Sequence, residues 1–131
     1  MKNKNILVTG GSGFLGSHVA DALTDKGYRV TIFDQSKSKW LKEDQEMIVG
    51  DILDEKLINE LVKNKFAIYH FAGIAGLEEA NNDPVQTIKY NILGTTNLLD
   101  AAVKYSVSRF IFASSVYVYS EHGGFYRATK Q

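Results

Sequence analysis

Cysteine is absent from the chain, proline occurs once, and neither sign of charge prevails. Without cysteine there can be no disulfide, no thiolate nucleophile and no sulfur ligand for zinc, and a reducing, cytoplasmic setting is the expectation. The 15 Lys and Arg balance the 15 Asp and Glu. The basic footprint that a nucleic-acid backbone or an anionic membrane demands is therefore missing, and neither is expected as a partner. No run of about 18 apolar residues is present to span a bilayer. Ile6-Leu7-Val8, which follows Met1-Lys2-Asn3-Lys4-Asn5, is too short for the apolar region of a signal peptide. His18, His70 and His122 form no metal-ligand cluster, and His70, set in an apolar run, reads as a hydrogen-bonded core histidine.

What is present is 44% hydrophobic residues in a chain of 131, enough for one domain that buries roughly two-thirds of its unfolded surface. Ile6 to Thr9 is a short apolar, β-prone run closed by glycines, after which Phe14, Leu15, Val19, Ala22 and Leu23 recur at helical spacing up to Lys26-Gly27. Strands are expected again at Arg29–Phe33, Met47–Val49, Phe66–Phe71 and Arg109–Ala113. Helices are expected between them, one built on Leu53, Leu57, Ile58, Leu61 and Val62, and one running from Pro84 to about Tyr105. The polar segment Gln35–Glu46 reads as surface anchored by the ring of Trp40, and Phe125–Gln131 as the opening turns of a helix. Short buried strands alternating with helices imply parallel pairing through right-handed crossovers. The expected fold is α/β, a Rossmann-type doubly wound parallel sheet in the order 3-2-1-4-5, here as an incomplete domain over residues 1–131.

The turn after the first strand carries chemistry. Gly10, Gly13 and Gly16 let backbone approach a pyrophosphate, and the helix opening at Phe14-Leu15-Gly16 offers free N–H groups and the positive end of its dipole. Asp34 closes the second strand near the interval at which a carboxylate accepts from adenosine ribose hydroxyls. Its charge opposes a 2′-phosphate and selects NAD over NADP, although Lys37 and Lys39 follow closely. The lesser alternative for Asp34 is a turn-forming residue after a strand. In Gly50-Asp51-Ile52 the carboxylate can accept from an adenine amino group while a backbone N–H donates to the ring; taken alone, Asp51 is more often the N-cap of the next helix, and the two roles are compatible. Tyr126 and Lys130, four apart on a helix, share a face, so an ammonium can favour the phenolate. Asn91, polar within a helical pattern, suggests a buried hydrogen bond.

The order Thr9-Gly-x-x-Gly-Phe-Leu-Gly16, Asp34, Asp51-Ile52, His70-Phe71-Ala72-Gly73, Asn91-x-x-Gly94-Thr95, Ser114-Ser115 and Tyr126-x-x-x-Lys130 resembles the N-terminal half of the NAD-dependent epimerase/dehydratase family, the extended short-chain dehydrogenases/reductases. The nucleotide-sugar 4-epimerases are the branch it looks most like. The resemblance implies NAD as cofactor, a nucleotide sugar as substrate and a homodimeric parent. It implies that Tyr126 is general base and acid, that Lys130 lowers the tyrosine pKa and binds the nicotinamide ribose, and that Ser115 hydrogen-bonds the reacting oxygen. Phe71, Ala72 and Gly73 would line the nicotinamide side, with Asn91 supporting the cofactor site or bonding strand backbone. Ser120 replaces a usual glycine, and the segment from Glu121 to Phe125 is shorter than in many members. Val116 and Tyr117 stand where dehydratases of the family carry an acidic pair, which disfavours dehydration and weakens a sugar-acid decarboxylase reading. The family's further strands and substrate domain are expected beyond the Tyr-Lys helix, so the 131 residues alone are expected to be inactive.

Overall fold

The structure, a computed structural model, describes residues 4–131. Five parallel strands form one sheet in the order β3-β2-β1-β4-β5. They are β1 (Asn5–Thr9), β2 (Arg29–Asp34), β3 (Glu46–Val49), β4 (Ala67–His70) and β5 (Arg109–Phe112), so the expected doubly wound sheet and its order are present. Central β1 is buried on both faces. Leu7 joins Phe33, Ile68 and Leu98 on one side, while Ile6 and Val8 join Val30, Ile32 and Ala20 on the other. This follows from the period of two in a strand, and it explains why the sequence there is continuously apolar.

Helix α1 (Phe14–Asp25) covers the second face, and α2 (Glu55–Val62) packs beside α5 (Gly94–Lys104) on the first. The N-cap of α2 is Asp54, which accepts from Leu57 N–H at 3.0 Å. Asp51 instead accepts from Leu53 N–H at 2.9 Å in a turn, which corrects its reading as the cap. Short α3 (Leu77–Asn82) is followed by α4 (Pro84–Ile88), capped by Asp83 with Pro84 at the first helical position. The single helix expected from Pro84 to Tyr105 is interrupted by a π turn at Lys89–Leu93, where Gly94 N–H reaches back to Lys89 O. A β-carbon on Gly94 would lie 2.6 Å from Ile52 Cγ2, so this helix meets the turn after β3 by backbone. Trp40 is 67% exposed and anchors nothing; its segment is held by buried Ser38 and by buried Gln45, whose amide donates to Asp21 and Thr24. A 3-10 turn (Val116–Tyr119) and α6 (Gly124–Lys130) close the chain, with Thr129 and Lys130 buried. Among the described residues no helix is long and apolar enough to cross a membrane, and no cluster of three potential metal ligands occurs.

Candidate functional site

A cleft runs along the carboxyl ends of the strands, across the point where strand order reverses between β1 and β4. It comprises two adjoining chambers of about 370 and 280 Å³ that share Asp34, Ala72, Gly73 and Ala75. The larger is bounded by the glycine turn, by Phe71 to Gly73, and by Tyr126 and Lys130. Gly10 holds a positive φ of 68°, and a β-carbon there would meet the Phe71–Ala72 backbone at 2.5–2.9 Å; one on Gly16 would overlap Gly10. Gly13 differs. Its φ is −81°, and only Gly10 O, at 3.3 Å, stands near a hypothetical β-carbon. Gly10 and Gly16 are thus required by the chain's own packing, whereas Gly13 leaves backbone bare at the cleft wall.

Helix α1 begins there without a capping side chain and without an acidic residue in its first turn. The first bond linking helix to turn is Ser17 N–H to Gly13 O at 3.0 Å, so Phe14, Leu15 and Gly16 present N–H groups with no partner among the described residues. All three residues line the cleft. An anion at that point would satisfy the donors and meet the helix dipole. Asp34 accepts from Ser12 N–H at 3.0 Å through one oxygen and from Ser36 N–H at 3.2 Å through the other. Both oxygens are thereby oriented, and each keeps a lone pair for a hydroxyl donor.

The smaller chamber is floored by Phe33, Gly50 and Ile52 and walled by Ile74, Glu79 and Tyr90. Ile52 lines the chamber although it is buried. Asp51 is outside the lining. Glu79 and Tyr90 escaped the sequence reading because neither belongs to a motif and α3 has only one buried residue, Ala80, to mark it.

At the opposite end Lys130 is 8% exposed. Its Nζ donates to Ala113 O at 3.2 Å and stands 4.8 Å from the Phe112 ring centroid and 5.9 Å from that of Tyr126. Burial without an acidic partner holds its ammonium below the ordinary lysine range. The Tyr126 ring meets Tyr117 edge-on at 6.1 Å. Ser114 lines the cleft and donates to Lys130 O at 3.2 Å, whereas Ser115 caps the 3-10 turn, accepting from Tyr117 N–H at 3.3 Å, and is not in the lining. Asn91 is 2% exposed, and its amide is occupied by protein. Oδ1 accepts from Ile74 N–H at 2.7 Å; Nδ2 donates to Ile74 O at 3.0 Å and Thr129 Oγ1 at 2.9 Å. It braces the loop after β4 against α6, and Gly73 has no β-carbon because Asn91 Oδ1 would lie 2.7 Å from it.

An open parallel sheet with a glycine turn opening onto a helix N-terminus at the switch point defines a Rossmann-type dinucleotide-fold domain. The model of the NAD dependent epimerase/dehydratase family matches residues 6–130, and the chain belongs to that family. It is 38% identical over 124 residues to a UDP-N-acetyl-alpha-D-glucosaminuronate decarboxylase of Bacillus cytotoxicus, covering 90% of this chain and 38% of that protein. It is 36% identical over 128 residues to a UDP-glucose 4-epimerase of Schizosaccharomyces pombe, covering 88% and 36%. The crystal structure of UDP-glucose 4-epimerase from Brucella ovis in complex with NAD superposes with a TM-score of 0.88 at 31% identity, covering 97% of this chain and 44% of that one. The chain thus spans well under half the length of these relatives.

Proposed function

We propose that this chain is the NAD-binding part of a nucleotide-sugar 4-epimerase. The observation that carries the reading is the division of labour among the glycines: backbone within 2.9 Å bars a β-carbon from Gly10 and Gly16, whereas one on Gly13 would meet only Gly10 O, at a tight 3.3 Å, and Gly13 lies beside three unpaired N–H groups. A pyrophosphate fits that place. Asp34 then receives the adenosine ribose hydroxyls, the chamber beside Ile52 takes the adenine, whose amino group is assigned to Asp51 from outside the lining, and Phe71 to Gly73 flank the nicotinamide. NAD supplies the hydride acceptor and donor.

The chain's own contribution is orientation and proton handling. Tyr126 withdraws the proton from a secondary hydroxyl of the sugar and returns it from the phenol. Lys130, desolvated and fixed to Ala113 O, keeps positive charge beside the ring and favours the phenolate. Ser115 is assigned to the reacting oxygen, which its place at the start of the 3-10 turn permits once its Oγ bond to Tyr117 N–H is exchanged for substrate. The full reaction, and the homodimer expected of the parent, are proposed for the protein at the length of its relatives; the 131 residues alone are expected to bind NAD without turnover.

The identity with a sugar-acid decarboxylase favours a second reading, decarboxylation after oxidation. Against it stand Val116 and Tyr117, which place no carboxyl group beside Ser115. The native protein carrying this sequence is assayed with UDP-glucose and with UDP-N-acetyl-glucosaminuronic acid. Interconversion of gluco and galacto forms, lost by orders of magnitude in Tyr126→Phe with NAD retained, supports the proposal. Release of carbon dioxide from the acid without epimerisation replaces it with the second reading, and undiminished turnover in Tyr126→Phe removes the assigned mechanism.

A further inference from the structure

A buried line of hydrogen bonds joins the two ends of the cleft from behind. Ala72 N–H donates to Thr9 Oγ1 at 3.4 Å; Thr9 Oγ1 and His70 Nδ1 are 2.6 Å apart; His70 Nε2 and Thr95 Oγ1 are 2.7 Å apart; and Thr95 Oγ1 donates to Asn91 O at 2.6 Å. Asn91 then clamps Ile74 and Thr129, and Thr129 Oγ1 donates to Tyr126 O at 2.8 Å. Thr9, His70 and Asn91 are each no more than 2% exposed. Only one proton arrangement of a neutral ring satisfies this line. The Thr95 hydroxyl spends its single hydrogen on Asn91 O, so His70 Nε2 must carry the proton donated to it. Nδ1 is then bare and accepts from Thr9, whose oxygen in turn accepts from Ala72 N–H. Phe110 and Phe112 rings 5.8 and 5.7 Å away wall the imidazole, and Lys130 adds unfavourable positive charge.

We propose that His70 is a positioning residue, a neutral imidazole fixed as the Nε2–H tautomer that ties the glycine-turn strand to the helix carrying Tyr126 and Lys130. The role rests on the NAD reading above. His70 touches no ligand; it sets the distance between the phosphate end and the nicotinamide end of the cleft, acting through Thr9 on one side and Thr95 and Asn91 on the other. A simple core histidine would fill the same volume without a required tautomer and without dependence on the Thr95 hydroxyl.

Two measurements on the 131-residue chain test this. In nitrogen-15 spectra of the histidine rings, with His70 assigned by His70→Gln, the expected pattern is a protonated Nε2 and bare Nδ1 that persists from pH 7.5 to pH 5. An Nδ1–H ring, or one that becomes charged in that interval, overturns the relay. By calorimetry, Thr95→Val is expected to weaken NAD binding roughly three- to tenfold, the equivalent of one lost internal hydrogen bond, while Thr95→Ser restores it to within about twofold. Equal affinities of folded Thr95→Val and Thr95→Ser chains overturn the positioning role. Failure of the unsubstituted chain to bind NAD defeats the cofactor reading and this role with it, even with the expected tautomer; normal binding with the wrong tautomer defeats the relay alone.

Discussion

Gly13 and Gly16 are three residues apart in one turn, yet their substitution by alanine should separate folding from binding. Gly16→Ala forces a β-carbon into the Gly10 backbone and is expected to cost several kcal/mol, on the order of the larger core lesions. Gly13→Ala keeps an allowed φ and meets only Gly10 O, a tight 3.3 Å contact that a small shift of the turn relieves, so its melting temperature should fall much less than that of Gly16→Ala while NAD affinity falls at least about tenfold through loss of close approach to the phosphates. Circular dichroism melts and calorimetric titrations of both variants decide this, and a Gly13→Ala chain with undiminished affinity removes the phosphate from the glycine turn. Asp34 is tested by cofactor choice. The native chain should prefer NAD to NADP, and Asp34→Ala should narrow the gap because the repulsion of a 2′-phosphate is gone. Lys130→Met is expected to leave thermal stability unchanged or higher, since a desolvated charge is replaced by an apolar chain, and to weaken NAD binding.

At the level of elements, the Asp54 cap and the π turn make separable contributions. Asp54→Ala removes one side-chain acceptor from the start of α2 and should cost about 1 kcal/mol in denaturant unfolding, without effect on NAD. The five strands and their order were legible because each buried strand is a short apolar run bounded by glycine or polar residues, and alternation with helices leaves few ways to connect them. Helix α3 was not legible, since Ala80 alone is buried and no stripe repeats. The π turn was hidden for a different reason: one extra residue shifts the phase of the helix, which periodicity averages away, and the close approach of Gly94 to Ile52 that follows it is a tertiary contact. The glycine turn, Asp34 and the Tyr126–Lys130 pair were legible as spacing. The partners of Asn91 lie 17 and 38 residues away and depend on packing that no local pattern encodes.

For the whole molecule, His70 links stability to acidity. Burial, and secondarily the charge of Lys130, push its imidazole down to about 3 from an ordinary 6.5. Well above pH 6.5 the ring is neutral whether folded or unfolded, and its contribution is constant. As pH falls below 6.5 the unfolded chain takes up a proton that the folded chain refuses, so the folded state loses up to about 1.4 kcal/mol per pH unit until the folded pKa is reached. Denaturant unfolding of the native chain between pH 7 and 5 should therefore slope more steeply than that of His70→Gln, which has no such proton to bind. Parallel slopes in the two proteins would show that the ring titrates alike in both states.

The single indole of this chain sits in an unusual place for a tryptophan. Trp40 is 67% exposed and borders a surface hollow with Phe14, His18 and Asp21, on the outer side of the residue that opens α1. Its emission is therefore expected to be that of a hydrated chromophore even in the native state, shifted to long wavelength and open to quenching by acrylamide. Unfolding of the sheet should change it little, while movement of Phe14 on the other wall of the hollow should change it more. Fluorescence in this protein should gauge the glycine-turn region, and a melt followed by it need not coincide with one followed by circular dichroism, even if the core unfolds in a single step.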